Sequence, residues 1–406
     1  MEEMVFQIGP IRPPSEANSL LLRVTINCPW NKCKFCMLYK KYDFHTRPVE
    51  DVKKDIDTMA ELRDRIMQYK TEDDWDIEAI NRDYQTLTTD DQRWCYHMVF
   101  RWLTEGDSNS IFLQDANTMC LRPDWLAEII RYVRVKLPEF KRITSYGRAN
   151  TLAKISAEDY KMLKEAGLDR IHSGYESGSD KVLALIEKGC TQEEQIIGGR
   201  KVREAGIELS IYFMPGVGGK ELSDDNAIET AKVINAVNPN FVRLRTFVLR
   251  TGSLMEEVRD SGHWTEDTDM NKLLEIRKLL ANIDPGKANG KITSDHIINL
   301  LQEVNGQMDT DLPWMLEYID SFLALPKLEQ RKYQMARRMG FPLDWKQLWR
   351  MRESDQLIIE DTGIGMSEES LEKIFNSFNL SFCFNNSMLS ARDMCSHFRI
   401  VTARKL

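Results

Sequence analysis

Apolar positions along the chain follow two alternating periods. Short runs rich in β-branched and aromatic residues read as strands: SLLLRVTI (19–26), SIFLQ (110–114), RITSYG (142–147), DRIHSGYE (169–176), IELSIYFM (207–214) and FVRLRTFV (241–248). Between them, apolar residues recur with the 3.6-residue period of an amphipathic helix. PDWLAEIIRYVRV opens on Pro123, a good first-turn residue, and SAEDYKMLKEAG runs from a capping Ser156 to a terminating Gly167. TQEEQIIGGRKVREAG likewise runs from Thr191 to Gly206, and LSDDNAIETAKVINAV offers Ser223 as its cap. Six strands alternating with helices predict an α/β fold, a partial (βα)6 TIM-like barrel of parallel strands.

Two stretches depart from that rhythm. Residues 58–108 are charged, helical in period and rich in Trp and Tyr, so they are expected as a helical insertion between the first and second strands. Trp94, Tyr96, His97 and Trp102 are candidates there for covering a substrate, against the plainer reading of a core stripe. After about Met270 the strands are expected to stop, leaving a helical C-terminal extension. The expected division is a barrel core over 1–270, the extension over 271–353, and a last piece over 354–406, where the composition changes.

Composition narrows the class. The 406 residues are 42% hydrophobic and 29% charged, enough apolar surface for a sizeable core. The net charge of −8 argues against nonspecific nucleic-acid binding. No apolar stretch approaches the roughly 18 residues of a membrane span, and the acidic start MEEMVFQIGPIRPP has no signal-peptide core. A cytoplasmic protein without membrane contact is the expectation. Five of the eight cysteines are scattered, and their spacing does not read as the disulfide framework of a small secreted chain.

The other three, Cys28, Cys33 and Cys36, lie in TINCPWNKCKFCMLYK directly after the first strand, spaced C-x4-C-x2-C. Three thiolates on one loop cannot close a four-ligand zinc site unaided, and His45 is the nearest residue that could complete one. They could instead bind three irons of a 4Fe–4S cluster, leaving the fourth iron open. Ordinary buried cysteines are the third reading.

This loop resembles that of the radical S-adenosylmethionine (radical SAM) superfamily, and the resemblance covers roughly 18–257. Most members space the cysteines C-x3-C-x2-C; here the first gap has one residue more, while the Cys33-Lys34-Phe35-Cys36 end is intact. The resemblance implies a 4Fe–4S cluster on Cys28, Cys33 and Cys36, with SAM chelating the fourth iron. It implies further that Phe35 packs near the adenine and that Asp115, in Gln114-Asp115-Ala116-Asn117, meets the SAM amino group. Glu176 in GYESGSD would bond the ribose hydroxyls, Arg148 would pair with the SAM carboxylate, and Gly216 in Met214-Pro215-Gly216-Val217-Gly218-Gly219 would line the adenine.

The implied reaction is reductive cleavage of SAM to a 5′-deoxyadenosyl radical that abstracts hydrogen from a small-molecule or peptide substrate. It needs an electron donor such as flavodoxin or ferredoxin. Arg243, Arg245 and Arg250 around the sixth strand are candidates for an anionic substrate group. No second cysteine motif points to an auxiliary cluster. The segment DTGIGMSEESLEKIF (361–375) resembles the adenine-contacting box of histidine-kinase-type ATPases through Asp361, Gly363 and Gly365. It covers only a fragment of such a domain, so ATP binding is not expected. Cys383, Cys395 and His397 beyond it could at most form a weak metal site. Two rival readings follow: a zinc-stabilised binding module and a nucleotide-dependent signalling ATPase.

Overall fold

In the computed structural model, residues 4–40, 43–106, 110–338 and 344–346 are described, with the backbone of 357–361 and 398–402. The first apolar run splits into β1 (Leu20–Arg23) and β2 (Thr25–Ile26). A short β3 (His45–Thr46) returns antiparallel to β2, pairing Ile26 with His45, so the cysteine loop is pinned at its base. The other predicted runs form β4 (Ser110–Gln114), β5 (Arg142–Tyr146), β6 (Arg170–Glu176), β7 (Glu208–Phe213) and β8 (Phe241–Leu244).

The expectation that strands end near Met270 does not hold. β9 (Lys291–Thr293) adds parallel to β8, and β10 (Gly306–Gln307) closes that edge antiparallel. The sheet order is β1-β4-β5-β6-β7-β8-β9-β10, an open partial barrel of eight strands. The sequence hides β9 because three residues are too few for a readable alternation. Its entry depends on Gly290, where a Cβ would lie 1.9 Å from the Pro239 carbonyl oxygen.

Strand alternation gives the sheet two unlike faces. Leu20, Leu22, Ile111, Leu113, Ile143, Ile171, Leu209, Ile211, Val242 and Ile292 point to the helices and are fully buried. Each such side chain contributes roughly 1.5–3 kcal/mol by leaving water. The other face is aromatic and polar. Phe112 and Tyr146 meet edge-on at 5.0 Å, and His172 stacks on Tyr212 at 6.3 Å. His172 Nε2 also bonds Glu16 at 3.0 Å. Burial opposes the Glu16 charge, but His172, Arg142 and Ser19 draw its carboxyl down to about 2. Burial itself takes His172 down to about 4, so the imidazole is neutral near pH 7.

The helices run α1 (Val49–Met67), α2 (Ile77–Gln85), α3 (Asp90–Thr104), α4 (Pro123–Lys136), α5 (Ala149–Lys154), α6 (Ala157–Ala166), α7 (Asp180–Leu185) and α8 (Gln192–Glu204). They continue as α9 (Ser223–Val237), α10 (Leu254–Asp260), α11 (Asp269–Ala281), α12 (Leu312–Leu323) and α13 (Lys327–Arg338). The predicted insertion forms helices between β1 and β4. Its helical order begins at Val49, α1 packs on α4 and β1, and α3 packs on β1, so this layer serves as the crossover from β1 to β4. Tyr96 and Trp102 are core residues, whereas Trp94 and His97 face solvent.

Beyond the sheet, β11 (Leu357–Asp361) and β12 (Phe398–Thr402) pair, among the described residues, with each other. Gly363, Gly365, Cys383, Cys395, His397 and the Asp361 side chain lie outside the described residues. No helix among the described residues is long and apolar enough to cross a membrane.

Candidate functional site

The C-terminal ends of the parallel strands gather the loops that carry the predicted site residues, as expected where strands point one way and return through outer helices. The cysteine loop leaves β2 through Asn27 and turns again at Asn31, both with positive φ, a conformation Asn tolerates better than most residues. Asp115, at the end of β4, sits beneath it with no solvent exposure. Its Oδ2 accepts from Arg23 Nη2 (2.9 Å) and from the Asn27 N–H (3.1 Å), and its Oδ1 from the Tyr39 hydroxyl (3.2 Å). Both carboxylate oxygens are therefore engaged in fastening the two ends of the loop.

Above, the loop docks on the turn after α7. The Lys34 N–H donates to Ile186 O (3.0 Å), and Trp30 Nε1–H to Glu187 O (2.7 Å). Gly189, with φ of +68°, permits this fit, since a Cβ there would lie 2.3 Å from the Trp30 ring. Arg148 follows β5 and reaches the same place. Its Nη2 donates to Lys188 O (2.6 Å), Nη1 lies 3.9 Å from Cys28 Sγ, and the guanidinium stands over the Trp30 ring. No carboxylate pairs with Arg148 among the described residues.

Glu176 ends β6 with φ of +63° and is buried with Lys188, whose Nζ lies 2.9 Å from Glu176 Oε1. Gly174 makes room for the pair: a Cβ there would fall 2.3 Å from Glu176 Oε1. The same ammonium stands 5.6 Å from the centre of the Phe35 ring. Burial works against its charge, yet Glu176 and the Cys33 thiol outweigh it and raise the Lys188 pKa. Ser179 caps α7, accepting from the Val182 N–H, so GYESGSD ends a strand and starts a helix at once.

Phe35 joins a second apolar cluster with Val182, Ile186, Val217, Phe247 and Trp264. That cluster ties the cysteine loop to the glycine turn after β7. Gly216 has φ of +83°, and its N–H donates to Glu275 Oε1 (3.0 Å) on α11. Glu275 also accepts from Ser223 Oγ (2.6 Å) and Asn226 Nδ2 (2.7 Å). Burial still pushes its carboxyl up to about 7.

The structure thus brings Cys28, Cys33, Cys36, Phe35, Arg148 and Glu176 to one edge, with Asp115 below and Gly216 alongside. It adds Lys188, Tyr39 and Glu275, which sequence reasoning missed. Lys188 carried a signal, because a lysine two residues before Cys190 lies just past the short helix that GYESGSD begins. Nothing local marks Glu275, since its partners lie some 50 residues upstream.

His45 sits exposed in β3, and no three His, Cys, Asp or Glu side chains among the described residues converge on a point able to hold one metal ion. A closed zinc site is therefore the less favoured reading. A 4Fe–4S cluster asks for something different, one thiolate on each of three separate irons. The donor set fits that demand. Burial pushes the Cys33 and Cys36 thiols up, Lys188 pulls both back, and Arg148 adds to the pull on Cys33. Two buried cations facing three thiols make a pocket suited to an anionic thiolate-bound group.

A cleft of about 670 Å³ lies elsewhere, between the N-terminal segment and α1, lined by His45, Arg47, Asp51 and Asp55 among others. Apart from His45, it involves none of the predicted site residues.

Comparison with known proteins bears on the same elements. Residues 99–231 match the model of the Radical SAM superfamily; the cysteine loop precedes that stretch. The heme chaperone HemW of Bacillus subtilis (strain 168) is 26% identical over 134 residues, 32% of this chain and 35% of its own. The 4′-phospho-dehydrooxetanocin synthase of Priestia megaterium is 33% identical over 122 residues, 30% of this chain and 14% of its own. The chain therefore spans about a third and about a seventh of these curated relatives. The solved structure of coproporphyrinogen III oxidase (HemN) from Escherichia coli, described as a radical SAM enzyme, overlaps with a TM-score of 0.42 at 14% identity. That overlap covers 65% of this chain and 51% of the other. The stretch from α3 through β4–β7 into α9 is thus what this chain shares with the Radical SAM superfamily model.

Proposed function

We propose that the protein is a radical SAM enzyme whose Cys28, Cys33 and Cys36 hold a 4Fe–4S cluster beside a SAM site. The observation that carries this reading is the docking of the three-cysteine loop on the buried Arg148 and Lys188, within the barrel edge that continues into the matched domain. A bound cluster with SAM supplies one-electron cleavage of a sulfonium and hydrogen abstraction from a substrate, chemistry that side chains cannot perform.

The chain's own residues do the rest. Arg148, without a carboxylate of its own, is placed to take one from SAM in a bidentate pair. Glu176, turned inward by its backbone and steadied by Lys188, presents Oε2 to ribose hydroxyls. Phe35 and the Gly216 turn wall an apolar slot for adenine and exclude water. Asp115 fastens the cysteine loop, and an ammonium binding there would have to displace the Tyr39 hydroxyl from Oδ1. The substrate is a small molecule or peptide, and the electron comes from a flavodoxin- or ferredoxin-like donor in the cytoplasm. We assign the 361–375 segment no part in this activity.

The test is anaerobic reconstitution with iron and sulfide, then dithionite and SAM, with 5′-deoxyadenosine measured by chromatography. Wild-type protein should form it, and a Cys28/Cys33/Cys36→Ala triple variant should not. A folded wild-type chain that takes up no iron would sink the proposal.

A further inference from the structure

The mouth of the barrel between β7, β8 and the loop after β9 holds a charge imbalance that the SAM site does not use. Arg243 is tied down there: Nε donates to Ser210 Oγ (3.1 Å) and Nη1 to Asp295 Oδ2 (2.6 Å). Arg245, two residues on, meets only the other oxygen of the same carboxylate, with Nη1 3.7 Å from Asp295 Oδ1, beyond hydrogen-bond reach. That buried Nη1 has no well-formed hydrogen bond, and the buried Tyr212 hydroxyl has only Arg245 and the Tyr146 hydroxyl for company. The guanidinium stands 5.1 Å from the Tyr212 ring centre, which sets its plane.

Two guanidinium groups sharing one carboxylate leave one positive charge over. His296 does not change that sum, since burial and the repulsion of Arg245 take its pKa down to about 4. The arrangement is held rigidly. Asn299, buried, accepts from the Thr246 N–H (3.0 Å) and donates to Leu244 O (2.9 Å), fastening the β9 loop over the end of β8. A purely structural latch would spend both arginines on partners, as it does Arg243. A guanidinium nitrogen without an acceptor, next to a hydroxyl whose neighbours are another donor and a phenol, forms the donor set that an oxyanion would satisfy. An anion would reach these buried atoms past Asp295, whose side chain is 30% exposed, and along Arg245, whose side chain is 14% exposed.

Tyr212 belongs to the aromatic inner face that runs through His172 and Tyr146 to Phe112 on β4. We propose that Arg245 and the Tyr212 hydroxyl bind an oxyanion group of the substrate, a carboxylate or phosphate ester on a small molecule, while Asp295 holds Arg243 in place behind them. This names the substrate class of the enzyme proposed above and rests on that reading for its purpose.

The test measures binding of inorganic phosphate and of acetate to the full-length, cluster-reconstituted protein by equilibrium dialysis at fixed ionic strength. Wild-type protein should bind at least one of them. Tighter phosphate points to a phosphate ester and tighter acetate to a carboxylate, and either supports the site. Arg245→Gln should weaken binding about tenfold or more, the scale of a charged hydrogen bond. Arg245→Lys should restore part of it, and Tyr212→Phe should weaken it about threefold. Asp295→Asn, which removes the competing carboxylate, should tighten it about tenfold. Circular dichroism checks that each variant is folded. Absence of binding by wild-type protein, or affinity unchanged in a folded Arg245→Gln, would overturn the proposal. Neither result depends on 5′-deoxyadenosine formation, so a failure here is separable from a failure of the radical SAM reading.

Discussion

Glu176 and Lys188 form the most consequential pair in the site, because both side chains are about nine-tenths buried and face each other at 2.9 Å. Removing one partner leaves the other as an uncompensated buried charge. Lys188→Met should therefore cost about 3 kcal/mol in urea unfolding at pH 7. The double variant Glu176→Gln/Lys188→Met should recover about 1–3 kcal/mol of the summed single losses. Strict additivity would show that the two charges do not depend on each other.

Glu275 gives a second test, one of pH. Its folded pKa of about 7 stands above the ordinary 4.5, so the folded protein binds more protons than the unfolded chain between those values. Stability contributed by this group is complete below about pH 4.5 and is lost as pH rises through 7, about 3 kcal/mol in all. Glu275→Gln keeps the bonds, since its carbonyl can accept from Gly216 and Asn226 while its amide donates to Ser223 Oγ. That variant should show a flatter stability profile from pH 4.5 to 7 and be the more stable protein at pH 8. An unchanged slope would remove Glu275 as its source.

Among the elements, the turn from β6 into α7 does most to set the site, and it rests on glycine. A Cβ on Gly178 would come within 2.6 Å of the Glu229 carbonyl oxygen and of Thr230 Cα on α9, backbone that cannot move aside cheaply. Gly178→Ala should destabilise by about 1–3 kcal/mol, read from urea midpoints, and should loosen SAM binding by tilting Glu176. Equal stability with wild type would mean that α9 yields.

This turn was legible in the sequence, as were β4 to β8, because each carries a compact apolar run; Ser223, expected to cap α9, instead gives its hydroxyl to Glu275, and Leu222 holds the cap position. The cysteine loop was legible because thiol spacing is a local signal. Three things were not. β9 is too short to show a period. The layer over 58–108 reads as an insertion because its charges hide that α1 is an ordinary crossover helix. The bonds on Asp115 come from Arg23, Asn27 and Tyr39, and no spacing rule links those positions before the chain folds.

Taken as a whole molecule, the packed body reaches as far as Trp345 and no described core residue lies beyond it. Trp345 closes against Tyr318 at 5.6 Å and Phe322 at 6.0 Å on α12, while the Tyr318 hydroxyl donates to Asp344 Oδ1 at 2.5 Å. The segment 344–346 is therefore part of the barrel's outer layer. The strands β11 and β12, by contrast, pair with each other and, among the described residues, with no strand of the eight-stranded sheet. Two truncations separate these contributions. A chain ending at residue 353 should unfold in urea with the same midpoint and slope as the full chain. One ending at residue 338 should lose about 3 kcal/mol, the usual cost of deleting a buried large aromatic side chain. It should also expose α12, lowering cooperativity. If the longer truncation were already destabilised, residues 354–406 would have to pack on the barrel, and the fragment resembling an ATPase box would be an integral layer of this fold. If both truncations matched the full chain, the Trp345 contacts would carry no net stability, and the body would end with α13.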